Sequence, residues 1–162
     1  MTYTILLFVT RSQSLTSDEF RDYYEHKHIP LARSLVGAYW PKSFRRQYFA
    51  RVSRKGFGGP ANRDRPPLML RGDMQDLDCD CIAEMNFASE KIFQKFYSAI
   101  YEKENAAVLA EDEKMFLEPG KTKVVVVGES WSTDENGVTT SEIGCAPRLD
   151  RSDSDTSTSG QS

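Results

Sequence analysis

The chain has 162 residues, with 24 acidic and 21 basic side chains and a net charge of −3, and 39% of it is hydrophobic and 11% aromatic. That length and apolar share fit one domain with a single core and some excess chain, and the balanced charge excludes the basic stripe a nucleic-acid partner needs. No run of eighteen apolar residues is present, which excludes a transmembrane helix, and three cysteines, Cys79, Cys81 and Cys145, form no disulfide framework and point to a reducing, cytosolic setting.

The opening MTYTILLFVTR has neither a basic leader region nor a small-residue cleavage site. Residues 3–10 read as a strand, short, apolar and β-branched. A polar connector, RSQSL, leads to residues 16–37, TSDEFRDYYEHKHIPLARSLVG. Thr16 and Glu19 have capping-box spacing, and Phe20, Tyr23, Tyr24, Lys27 and Leu31 recur at helical steps. Both histidines of the chain, His26 and His28, fall just before Pro30. A proline there predicts a kink or a break, and Gly37 ends the helix.

Residues 43–52, SFRRQYFARV, form the second strand. Both of its faces mix arginine with aromatic residues, so its orientation stays open. Residues 53–72 carry glycine, proline and five basic side chains without periodicity, as expected of a lid, a binding element or a mobile loop. Residues 80–87, DCIAEMNF, alternate, with Cys81, Ala83, Met85 and Phe87 on one face and Asp80, Ile82, Glu84 and Asn86 on the other. Ser89 caps a helix with Ile92, Phe93, Phe96, Tyr97 and Ile100 on one stripe. This helix breaks near Glu104 and Asn105, and a further one covers residues 106–115. Residues 123–128, KVVVVG, form a short buried strand. The rest is rich in Ser, Thr, Asp and Gly, a composition that cannot offset its ordering entropy.

The chain therefore divides into a domain over 1–132, with 53–72 as a mobile loop, and a low-complexity tail over 133–162 that is disordered from about residue 145. Strand, helix, strand, strand, helix, strand is the ferredoxin-like βαββαβ order of an α+β fold. Helices on one face leave the other face of the sheet bare, and pairing of two sheets in a homodimer covers it.

SDEFRDYYEHKHIPLARSL resembles the signature of the EthD-like family, a branch of the dimeric α/β-barrel superfamily. The match includes the acidic start before Phe20, the paired tyrosines, and His28-Ile29-Pro30-Leu31. SFRRQYFAR, DCDCIAEMNFASEKIFQKFY and DEKMFLEPGKTKVVVVGE extend it over residues 3–130. These later blocks resemble the fungal branch encoded beside polyketide synthases, some members of which decarboxylate polyketide-derived anthrone carboxylic acids. The resemblance implies a lyase acting on a polycyclic aromatic or β-keto carboxylic acid in secondary metabolism. Related superfamily members are cyclases, isomerases and cofactor-free monooxygenases, so cyclisation, dehydration or oxygenation of the same substrates is the alternative.

His28 is the first candidate for acid–base chemistry, because an imidazole moves protons either way near neutral pH; its bland role is to cap the interrupted helix. His26, two positions earlier, projects elsewhere and is the second candidate. The two do not make a good metal pair, and no second cysteine pair completes a zinc site with Cys79 and Cys81. Arg46 can grip a substrate carboxylate or can form an ion pair with Glu84 or Asp80. Tyr48 can donate to a carbonyl or enolate, and Tyr24 can do the same or simply fill the core. Glu84, mid-strand, is a substrate-binding acid or a salt-bridge partner; Asp80 lies about 13 Å along the strand, too far to act with it. The absence of GxGxxG, GxxxxGK[ST] and HExxH motifs leaves a cofactor-free reaction in which the substrate is the electron sink. A non-catalytic protein that holds an aromatic ligand is the reading of a different class.

Overall fold

The structure, a computed structural model, describes residues 2–144; the tail expected to be disordered from about residue 145 lies outside them. The chain runs β1 (Tyr3–Val9), α1 (Ser17–Tyr23), a π-helical turn (Tyr24–His28), α2 (Ile29–Val36), β2 (Ser43–Tyr48), β3 (Cys81–Phe87), α3 (Glu90–Tyr101), α4 (Lys103–Glu113) and β4 (Lys123–Val126). A separate antiparallel pair follows, β5 (Glu129–Thr133) and β6 (Thr139–Ile143). The main sheet is antiparallel, in the order β2-β3-β1-β4. This is the ferredoxin-like α+β arrangement that the element order predicts. Among the described residues no helix is long and apolar enough to cross a membrane.

Alternation along β1 and β3 makes the sheet two-faced. Cys81, Ala83, Met85 and Phe87 are buried, and they stand opposite Val9, Leu7, Ile5 and Tyr3 in register. Two clusters grow on that face. One joins Tyr3, Ile5 and Phe87 to Val36 and Phe96; the other joins Val9 and Cys81 to Phe20, Tyr24 and Phe116. Each fully buried aromatic side chain contributes about 1.5–3 kcal/mol, so the helices stay docked on this side. The register also settles β2. Phe44, Arg46 and Tyr48 lie opposite Met85, Ala83 and Cys81 and so share the helix-covered face, whereas Ser43, Arg45 and Gln47 lie opposite Asn86, Glu84 and Ile82 on the bare one.

The first helix starts at the expected capping box: Glu19 N–H donates to Thr16 Oγ1 at 3.2 Å, and Thr16 N–H donates to Glu19 Oε2 at 2.7 Å. It does not break at Pro30. The turn before it widens, with Ile29 N–H donating to Tyr24 C=O five residues back, and Pro30 falls in the first turn of α2, where its missing amide costs little. Burial follows the widened turn and differs from the expected stripe. Phe20, Tyr24, Ala32 and Val36 are buried, while Lys27 is exposed and Leu31 only half-buried.

Residues 49–68 double back as an irregular ribbon. Val52 N–H donates to Pro66 C=O at 2.9 Å, Leu68 N–H to Ala50 C=O at 2.7 Å, and Asn62 N–H to Ser53 C=O at 2.9 Å. The second long helix parts at Glu102, between α3 and α4, two residues earlier than the sequence suggests. The valines of β4 are exposed on this edge strand, not buried. The β5–β6 hairpin spans the compositional boundary at residue 133. Its turn explains this, because Asp134 Oδ1 accepts from the amides of Asn136 and Val138, both at 2.9 Å, and Gly137 supplies the positive φ.

Candidate active site

The π-helical turn and the start of α2 place His28 against α4 and the segment that follows it. His28 Nδ1 lies 2.7 Å from Asp112 Oδ2, and the Tyr23 hydroxyl donates to Asp112 Oδ1, also at 2.7 Å. The side chains of His28 and Asp112 keep only 15% and 10% of their surface in contact with solvent. A carboxylate only accepts hydrogen bonds, so Nδ1 of His28 carries a proton and donates it to Asp112. The ring also leans on Phe116, with centroids 4.9 Å apart, and on Tyr24 at 5.5 Å. Burial and the bond to Asp112 push the Tyr23 phenol up to about 12, so it remains a donor throughout the neutral range. The imidazole is thus aligned by a carboxylate that a phenol in turn aligns. Such an arrangement orients a general acid or base.

The other expected site residues are distributed differently. Arg46 and Tyr48 do meet, and both are occupied by Glu25. Arg46 Nε and Nη2 reach Glu25 Oε1 and Oε2 at 2.8 and 2.6 Å, and the Tyr48 hydroxyl donates to Glu25 Oε1 at 2.7 Å. This bidentate pair fastens β2 to the π-helical turn, with 19% and 27% of the Arg46 and Glu25 side chains exposed. Arg46 holds the Glu25 carboxyl below the usual carboxylate range, while burial and then the Glu25 bond raise the Tyr48 phenol well above its ordinary value. Tyr24 is 3% exposed and packs among Phe20, Phe116 and Tyr48; burial raises its phenol far up. His26 is exposed.

Glu84 lies on the bare face of the sheet, opposite Arg45, and accepts from Asn86 Nδ2 at 2.9 Å. Within one chain the sheet stands between Glu84 and His28, so the two share no cavity. The ion pair of Arg46 is made with Glu25, and not with Glu84 or Asp80 as the strand pattern suggests. Asp80 instead accepts from the Arg11 backbone amide at 2.8 Å and pairs with Arg51 at 2.9 Å. Asp112, Tyr23 and Glu25 in these roles are absent from the sequence reading. They lie 84, 89 and 21 residues from the partners they serve, and a lone aspartate in the acidic end of a helix gives no local signal.

Space is the second property of the site. Five hollows of the described residues are lined without His28, and Phe116, Tyr24 and Phe20 pack together between helices and sheet. The hollow that touches Tyr48 has about 160 Å³, and His28 is not among the residues that line it. Among the described residues no group of three or more His, Cys, Asp or Glu side chains is arranged to hold a metal ion.

Comparison with known proteins finds the EthD domain over residues 12–120. No curated protein matches the chain. Similar solved structures include an EthD family protein of Bacillus halodurans C-125, 16% identical over 78% of this chain and 97% of that one, with a TM-score of 0.43. An EthD-like protein of Ralstonia eutropha JMP134 is 13% identical over 93% of this chain and 97% of that one, also with a TM-score of 0.43.

Proposed function

The chain belongs to the EthD domain family, and from that premise we propose that it is a cofactor-independent lyase in which His28 is the proton-transfer group. The substrate class is a polyketide-derived polycyclic aromatic or β-keto carboxylic acid, and the reaction is loss of its carboxyl group as carbon dioxide. The observation that carries this reading is the 2.7 Å contact of His28 Nδ1 with the nearly buried Asp112. Asp112 stabilises the imidazolium, which holds a proton at Nε2 for the substrate.

In the proposed step the bond between the ring or α-carbon and the carboxyl carbon breaks. Its electron pair moves into the substrate's conjugated keto system, and the Nε2 proton then adds to that carbon. Bulk water returns the proton through the exposed edge of the ring. Occupation of Arg46 by Glu25 supports the same reading. A guanidinium on the departing carboxylate would stabilise the ground state and slow its loss. The bare sheet face, with Leu6, Phe8 and Ile82 half-buried on it, fits a pair of chains joined there as a homodimer.

The tight packing around His28 favours a second reading, a non-catalytic aromatic-binding protein in which the His28–Asp112 contact only fastens two helices. A mass-spectrometric assay of the purified protein with anthrone and anthraquinone carboxylic acids separates them. Under the first reading, carbon dioxide is lost, His28→Ala abolishes turnover, and Asp112→Asn lowers it by about 10²-fold or more while the fold persists. Recovery of the acids intact, or turnover by His28→Ala at the wild-type rate, would refute it.

A further inference from the structure

The hollow of about 160 Å³ lies between the start of α1, the end of β2 and the ribbon, and His28 does not line it. Phe20 forms one of its walls, and the Tyr24 ring stands between Phe20 and His28, 5.9 Å from one and 5.5 Å from the other. Three guanidinium groups line it, those of Arg21, Arg51 and Arg65, with a single carboxylate, Asp18, among them.

Arg51 is the most informative. Its side chain is 10% exposed, and among the described residues it makes one hydrogen bond, from Nη2 to Asp80 Oδ1 at 2.9 Å. No side-chain nitrogen or oxygen among the described residues is both buried and unpaired. The spare nitrogens of Arg51 are therefore not sealed from solvent, and Arg51 is one of the residues that line the hollow. A guanidinium has five donors, and most of those of Arg51 remain available.

Arg65 adds a second sign. It is the one non-glycine among the described residues with positive φ, at 41°, a backbone state that is strained and persists where surrounding structure enforces it. Enforcement comes from the ribbon ladder next to it, Val52 N–H to Pro66 C=O and Leu68 N–H to Ala50 C=O. The result is that Arg65 Nη1 meets Asp18 Oδ2, while Asp18 Oδ1 lies 3.3 Å from Arg21 Nη1. Asp18 thus supplies at the mouth the carboxylate that the arginines are arranged to receive. Counting the neighbours they contact, Arg11, Arg21, Arg51 and Arg65 face Asp18, Asp22 and Asp80, and one positive charge is left over.

We infer that this hollow is a binding site for the carboxylate of a small aromatic acid, held by the spare donors of Arg51 and by Arg65, with Asp18 as an internal competitor. At the liquid volume of water it has room for roughly five molecules, enough for a carboxylate on one ring and too little for a polycycle. A planar carboxylate matches the guanidinium fork, and Phe20, Tyr48 and Phe49 provide the wall for the ring. The site stands independently of the chemistry proposed at His28.

Calorimetric titration of the full chain with benzoate, benzyl alcohol and inorganic phosphate tests this. Benzoate is expected to bind saturably, one per chain, and benzyl alcohol is not. Arg65→Gly removes the guanidinium while relaxing the backbone, so it keeps the fold, and should weaken benzoate about tenfold or more. Arg51→Gln should weaken it similarly, and Asp18→Asn should tighten it severalfold by removing the competitor. The inference is overturned if benzoate does not saturate, if benzyl alcohol binds equally, if phosphate binds in place of benzoate, or if Arg65→Gly binds benzoate as the wild type does.

Discussion

Arg46→Met tests how β2 is attached to the helix layer. The substitution keeps most of the side chain's volume but leaves the Glu25 carboxylate with only the Tyr48 hydroxyl, which lies 2.7 Å away. Stranding one member of a fully buried ion pair costs about 3–5 kcal/mol. Exposures of 19% and 27% for the two partners let water recover part of this, so the expected loss at pH 7 is about 2 kcal/mol, or about 4–8 °C in Tm for a chain of this size. The pH dependence gives an independent check. Arg46 holds the Glu25 carboxyl below its ordinary value of 4.5, so the stabilisation is complete above that value and is lost as pH falls through the lower folded one. Urea melts of wild type and Arg46→Met should therefore differ by the full amount at pH 7 and converge in acid. Glu25→Gln added to Arg46→Met should recover part of the loss, since it removes the stranded charge. A difference below 0.5 kcal/mol at pH 7, the level typical of exposed pairs, with no convergence in acid, would refute the account.

Three further outcomes follow from the same core. Phe116 is fully buried against Phe20, Tyr23, Tyr24 and His28, so Phe116→Ala should cost about 3–5 kcal/mol in urea denaturation. Tyr23 ionises near 12 when folded and near 10.0 when unfolded. Its stabilisation is present below 10 and declines as pH rises toward 12, so Tyr23→Phe should flatten the alkaline limb of the stability curve. Cys81 is fully buried on β3, and burial pushes its thiol up to about 12. Peptide mapping after iodoacetamide at pH 8 should find Cys81 unmodified in the native chain and alkylated in urea.

How far the sequence reaches is clear from particular residues. The Thr16–Glu19 capping box and the alternation of Cys81 to Phe87 are local patterns with one physical solution, and both are found as expected. The orientation of β2 was not legible, because Arg45 and Arg46 are equally polar and only a carboxylate supplied by the helix, Glu25, decides which one turns inward. His28 stood out as one of two imidazoles beside a proline. Its partner Asp112 lies among other acidic residues at the end of a helix, and only the packing of that helix brings it within 2.7 Å. The valines of β4 read as a buried strand by composition, yet burial depends on what covers an edge, and among the described residues these valines stay exposed.

The widened turn at Tyr24–His28 has a consequence for the phase of the helix. A plain α-helix advances 3.6 residues per turn, so positions spaced by four drift about 40° around the axis at each step. Phe20, Tyr24, His28, Ala32 and Val36 would then wander nearly half-way round, yet they all stay on the covered side. The larger ring of atoms takes back that drift at a single place. Imposing ordinary winding on Tyr24–His28 with every residue kept would swing everything beyond it by about 100°, turning Ala32 and Val36 off the covered side while each half of the helix remained intact.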